Sequence, residues 1–493
     1  MREIQSSQLN FGAVDISKIE FNKRSRDEMP QLLRGLQYIY MTPEYRDPIF
    51  KLLEERIAPR VSKQNGRPGM ELWKILVMGT VRLNLNWNYD RLEDEVNHHS
   101  QLREMLGHGR YEIPEHVYAL QTLKDNVSLL TEDLLDEINA IVVGAGHSLV
   151  KKKESEGLKT RMDSFVLESN VHYPTDLNLL FDAMRKVWTL AARACQWRKI
   201  KDLRQHAYQI QRLKNQMRGI QTQKHSRSKD TEVIVKKQAA LMESHREYIL
   251  LAGEHLVKID QVMTERGINK TEEFAMFYKD ALHQIDLIDR RVLKGEVIPH
   301  SEKIFSLFQR YTEWVSKGKA GVPVELGLKV CIVEDQFQFI LSHRVMQQET
   351  DCEIAAPLIK KTKGIYPDLK QVSGDKGFHS PANQKELDEI LDVVVIPKKG
   401  KCSKARQEVA SSSAFKKVQH QHSAVESAIN ALEVHGLDVC PDKGLDGLKR
   451  YVSLAIVARN LQRMGAILQE KERRAERRKT QRNLNKALQM KAA

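Results

Sequence analysis

Three acids stand where a lone carboxylate is out of place. Asp163 lies inside the apolar run "TRMDSFVLES", Asp375 lies between glycines in "VSGDKGFHS", and Glu426 borders the stripe Val425, Ala428, Ile429 and Leu432. An ionised carboxylate is normally excluded from a core unless something compensates it. Three brought to one point repel one another, and the cluster persists only with a cation or a shared proton. All-oxygen ligands with few protein donors suit Mg²⁺, which keeps several waters and accepts phosphate oxygens; Mn²⁺ substitutes. Two such ions about 4 Å apart would activate an attacking hydroxyl and stabilise the leaving oxygen of a phosphodiester. Each acid also has an ordinary reading, as a turn residue or a helix-surface residue, and spacing alone does not bring the three together.

The elements around them alternate. The first acid sits in a short apolar run ended by Pro174, which reads as a buried strand. Glu168 on the same run is an odd number of residues away and takes the opposite face. Later, "LGLKVCIVEDQFQFILSHRVM" reads as a hairpin joined at "EDQ", and "EIAAPLIKKTKGIYP" as a helix. The strand ending at Asp375 follows, where Gly374 and Gly377 would let the backbone approach a ligand. Ser380 and Pro381 form a cap and first-turn pair for the next helix. "DVVVIP" is a further strand, and "AFKKVQHQHSAVESAINALEVHGL" is expected to form one long helix ending at Gly436. Strands alternating with helices imply an α/β fold, a mixed sheet covered by helices.

Residues 30–145 read as helical. "GRPGM" opens a helix with Leu72, Ile75, Leu76 and Val81 at helical spacing; "YDRLEDEV" is a second, and Ser100 is expected to cap a third. Short helices with tight breaks fit a helix-turn-helix and fit a plain bundle nearly as well. The expected organisation is an N-terminal helical DNA-binding domain over 1–150 and a catalytic domain in two parts, 155–178 and 319–465. A basic helical insertion over 179–318 separates those parts, and a basic tail follows over 466–493.

Charge points the same way. The 493 residues carry a formal net charge of +14, which places such a chain near phosphate. Residues 193–229 hold eleven Lys/Arg against one acid, Asp202; a solvated face usually mixes signs, so Arg198, Lys199, Lys201 and Arg204 are candidate DNA contacts. Aromatic residues make up 6 % of the chain, too few for a surface working mainly by stacking bases. The basic C-terminal segment suits non-specific phosphate contact. No apolar run is long enough to span a membrane, the first residues lack a signal-peptide core, and the five cysteines show no zinc spacing. A reduced, cytoplasmic and nucleoid-associated protein is expected.

"MDSFVLESNVHYPTDLNLLFDAMR", "VSGDKGFHSPANQKEL" and "HSAVESAINALEVHGLD" closely resemble the three acidic blocks of bacterial insertion-sequence transposases of the DDE type. "GRPGM…LREMLG" resembles the helical domain that accompanies them. The resemblance covers roughly residues 60–460 and is weakest in the basic insertion and the tail. It implies a ribonuclease-H-like sheet with Asp163, Asp375 and Glu426 as catalytic metal ligands. The implied activity is Mg²⁺-dependent cleavage at transposon ends, then attack of the freed 3′-hydroxyl on target DNA, by at least a dimer on DNA.

Some related families carry Tyr, Arg and Lys around the catalytic Glu, where this chain has Gln419, His422 and Glu433. A hairpin-forming route that depends on them is therefore not implied. Lys416, Lys417, Lys398, Lys399 and Lys401 are the cations expected to hold phosphates instead, with His422 nearby. His172 and Tyr173 are candidate DNA contacts or turn-packing residues, and His379 either orients a water or phosphate or caps a helix. "HQH" at 420–422 lacks zinc-ligand company. A nuclease on the same fold and a non-catalytic DNA-binding descendant remain alternatives.

Overall fold

The computed structural model describes residues 3–4, 14–57, 69–109, 112, 116–150, 157–223, 230–316, 324–400 and 404–492. The chain forms two compact units, one of residues 1–170 with 315–493 and one of residues 171–314.

The first unit starts with helices α1 (Glu28–Met41), α2 (Pro43–Ile57), α3 (Leu72–Asn84), α4 (Tyr89–His98), α5 (Ser100–Met105), α6 (Leu120–Val127) and α7 (Glu132–Leu149). The apolar spacing expected for α3 is realised, but α3 is buried at every position except Lys74, so it presents no free face to a DNA groove. His99, not Ser100, caps α5: its ring accepts from the Leu102 amide, and Ser100 becomes the first helical residue.

β1 (Leu158–Ser169) follows; β2 (Glu313–Ser316) begins in the last residues of the second unit, and β3 (Val324–Asp335) and β4 (Ile340–Val345) come after it. Two βα steps build the rest of the sheet. β5 (Leu369–Gly374) and β6 (Val393–Val395) are each preceded by a helix, α12 (Asp351–Ile365) and α13 (Pro381–Asp388). The closing helices are α14 (Lys404–Ser411), α15 (Ser413–His422), α16 (Ala424–Leu432) and, after the short strand β7 (Val439–Cys440), α17 (Leu445–Ala492). They flank a seven-stranded sheet in the order β2-β3-β1-β5-β6, with β4 on β3 and β7 on β1. β1 runs antiparallel to β3 and parallel to β5, so the sheet is mixed.

The expected long helix before Gly436 is broken. A turn at Ser423 separates α15 from α16, and the chain then winds through a wider turn to Leu437, with Gly436 at φ 105°. α17 continues as one helix through residues 466–492, the segment expected to be a separate tail.

The N-terminal helices and the sheet belong to the same unit because α17 joins them, packing on α1, α3 and α7. At the α1–α17 crossing a Cβ on Gly35 would lie 2.2 Å from the Leu461 carbonyl, and one on Gly465 1.8 Å from that of Gln31; only glycine permits so close an approach. Arg82, buried in α3, forms two hydrogen bonds to Asp442, of 2.7 and 3.3 Å, and lies over the Tyr89 ring.

The second unit contains α8 (Asp176–Trp197), α9 (His206–Gln223), α10 (Thr231–Glu265) and α11 (Glu272–Ile288). Its own core is built on Leu180, Met184, Trp188, Tyr248, Leu256 and Phe274. The insertion is thus a folded body of its own, beginning at 171 where 179 was expected.

Candidate active site

Strand register brings two of the three acids together. Met162 on β1 pairs with Gly374 on β5 in a parallel ladder. Asp163, in the middle of β1, and Asp375, just past the end of β5, are each one residue further on, so the register sets them side by side across adjacent strands. Asp163 has its Oδ1 on the Ser164 amide at 2.8 Å. Burial, and beyond it the charges of Asp375 and Asp351, push its carboxyl up to about 6, against the opposing pull of the Ser164 amide and His422. Asp375 is exposed, and its carboxyl is held below the ordinary range chiefly by the His422 imidazole, with Lys376 assisting.

The two carboxylates suit a hard divalent cation, which favours all-oxygen donors and would relieve the repulsion felt by Asp163. Glu426 does not complete the set. It is exposed on α16, although that helix packs against β1. Among the described residues no three His, Cys, Asp or Glu side chains gather closely enough to hold a metal ion. The donors for one ion are therefore partly in place, and those for a second are not assembled among the described residues.

His422 ends α15 and faces the site. Its Nε2 lies 3.3 Å from Asp375 Oδ1, at ion-pair distance but off the line of a hydrogen bond, since Nε2 is buried without a hydrogen-bond partner. Its Nδ1 is 3.2 Å from Ser373 Oγ. The turn at Ser423 comes directly after it, so the break in the expected long helix coincides with the residue that reaches Asp375.

Asp351 was not singled out in the sequence. It starts α12 beside the site: Ser164 Oγ donates to it at 2.7 Å, and Lys329 Nζ lies 3.0 Å away. It sits within the capping box that Thr350 and Glu353 form at the start of α12. It also accounts for Gly377, where a Cβ would come within 3.2 Å of Asp351 Oδ2. The close approach expected toward a ligand is here made to Asp351, while a Cβ on Gly374 would come no nearer than 3.4 Å, to the Phe378 side chain.

Lys398 and Lys399 are exposed after β6, and Lys416 and Lys417 are exposed on α15, the helix that carries His422. Lys401 lies outside the described residues. His379 ends the short turn after Asp375, its amide bonded to the Lys376 carbonyl.

In the second unit, His172 Nε2 is 2.6 Å from Asp182 Oδ2. Burial opposes protonation there, but Asp182 and the Tyr173 carbonyl outweigh it and raise the imidazole above its ordinary value. Tyr173 is exposed and meets Trp314 edge-on at 5.9 Å. Arg198, Lys199, Lys201 and Arg204 are all exposed in the loop from α8 to α9. That loop is flanked by two aromatics the sequence reading passed over, Trp197, 85 % exposed, and Tyr208, 66 % exposed. Cations interleaved with exposed rings form a surface suited to single-stranded nucleic acid.

No family model matches the chain, and no curated protein or solved structure matches it either. Among the described residues no helix is long and apolar enough to cross a membrane.

Proposed function

We propose that the chain is a DNA transposase of the acidic-triad type with a ribonuclease-H-like catalytic sheet. It would cleave phosphodiesters at the ends of a mobile element and join the freed 3′-hydroxyl to target DNA. The observation that carries this reading is the placement of Asp163 and Asp375, each one residue past the pair Met162–Gly374 on neighbouring parallel strands, with Asp163 desolvated. The blocks around Asp163, Asp375 and Glu426, their order along the chain and the exposed lysines support it.

In this reading Asp163 and Asp375 hold Mg²⁺ or Mn²⁺. An ion held by these two carboxylates would supply Lewis-acid polarisation of a phosphate and of an attacking hydroxyl. Asp163 must give up its proton to serve as a ligand, which sets an acid limit on activity. The His422 imidazole beside Asp375 favours its ionised form. Lys416, Lys417, Lys398 and Lys399 offer charge to the flanking phosphates. Glu426 would have to join the acidic pair to supply the remaining carboxylate of a two-ion site. At least two copies, acting on paired ends in a nucleoid-associated complex, follow from the need to join both ends.

Glu426's exposure favours a second reading, a DNA-binding descendant without chemistry. Purified protein incubated with DNA flanking its own gene, Mg²⁺ and a supercoiled target separates them. Joined products support the transposase, nicks without joining indicate a nuclease, and binding alone indicates the descendant.

A further inference from the structure

The second unit contains a cavity that the acidic site does not use. Its volume is about 280 Å³, and its lining includes Tyr173, Gln284, Arg291, Lys303, Phe305 and Trp314. The rings form a connected wall: Trp314 meets Tyr173 edge-on at 5.9 Å and Phe305 at 5.7 Å, tilted by 40°.

Gln284, on α11, is the anomaly. Its side chain is 0 % exposed, and neither its amide oxygen nor its amide nitrogen has a hydrogen-bond partner among the described residues. Buried polar groups are nearly always paired, and an amide that forfeits both its donor and its acceptor is costly. Gln284 is among the residues that line the cavity, so a ligand held there is a candidate partner for its amide.

We propose that the cavity binds one nucleotide, its base read by the Gln284 amide beside the aromatic wall and its phosphate met by Lys303. A primary amide presents a donor and an acceptor side by side, the pattern that matches a base edge in a bidentate pair. Aromatic rings supply the contact that any base accepts. Arg291 is committed to Asp176 at 2.7 Å, whereas Lys303 is exposed and has no ion partner among the described residues. The same contacts serve a free nucleotide or an unpaired base of a bound strand. The inference stands apart from the acidic pair, so it survives or fails independently of the transposase reading.

The test uses full-length protein, titrated calorimetrically with the four deoxynucleoside monophosphates and, by fluorescence, with a single-stranded oligonucleotide carrying 2-aminopurine. Wild-type protein binds at least one of these probes, and Asp375→Asn binds it equally well. Gln284→Leu and Trp314→Ala weaken that binding tenfold or more. Gln284→Leu also keeps or raises the melting temperature, because it deletes an unsatisfied amide. Equal affinity for the monophosphate and the strand assigns a free ligand; binding that needs the strand assigns an unpaired base. The proposal is overturned by wild-type protein that binds none of the probes, by Gln284→Leu binding as tightly as wild type, or by a lowered melting temperature in that variant.

Discussion

Asp163 and Asp375 each lie one residue past the paired positions Met162 and Gly374 on adjacent parallel strands. The charge of Asp375 adds to burial in raising the proton affinity of Asp163. A carboxyl raised to about 6 from its ordinary 3.8 binds more protons folded than unfolded, so its contribution to stability is lost as pH climbs from 4 to 6. Asp163→Asn is therefore expected to stabilise the protein above pH 6, by on the order of 2 to 3 kcal/mol, with the gain vanishing near pH 4. Urea unfolding at pH 4.5 and pH 7.5 measures this. An asparagine variant no more stable than wild type at pH 7.5 would contradict the buried charge.

The neighbouring acid carries the opposite sign. Asp375 is held below its ordinary range by His422, so its contribution is present at neutral pH and lost as pH falls through the folded value. His422→Ala removes that support. Acid unfolding should then begin at higher pH, and the acid limb of any cleavage profile should move the same way. Coincident acid-unfolding curves for the two proteins would remove His422 from the site.

The α8–α9 loop predicts a salt effect. Replacing Arg198, Lys199, Lys201 and Arg204 with Gln should reduce the slope of log affinity against log salt by up to about 0.7 per lost contact on single strands and 0.9 on duplex. Trp197→Ala should weaken single-strand binding by about 1 to 3 kcal/mol while leaving that slope alone. An unchanged slope in the fourfold variant means the loop does not touch DNA.

Arg82 and Asp442 test how the N-terminal helices are held. Their side chains are 1 % and 8 % exposed, so removing Asp442 strands Arg82, whereas Asp442 keeps Arg450 as a second partner. Asp442→Ala should cost about 3 to 5 kcal/mol, and adding Arg82→Met should recover most of it. A loss below about 1 kcal/mol in urea unfolding would show that the pair is replaceable by water.

Much of the sheet was legible because its strands are apolar, β-branched runs with clear stops, such as Pro174, the "EDQ" joint and Pro397. Local caps were legible to within a residue: Ser380 caps α13 as expected, whereas the cap of α5 is His99, one residue before the expected Ser100. The pairing of Asp163 with Asp375 was not legible from pattern, because parallel register between strands some two hundred residues apart has no local signature. Nor was the break at Ser423, since "VQHQHSAVESAINAL" contains no Gly or Pro to mark a stop. The fusion of the N-terminal helices with the sheet was hidden for a similar reason. The apolar face of α17 shows that it needs a partner without saying which.

Cleavage of element-end DNA by Asp375→Asn in Mg²⁺, with DNA affinity measured on the same preparation, tests the central claim most directly. The account predicts undiminished binding and cleavage reduced to background, because the substitution removes a cation ligand and no phosphate contact. Cleavage at the wild-type rate by a variant that binds normally would place the chemistry elsewhere in the protein.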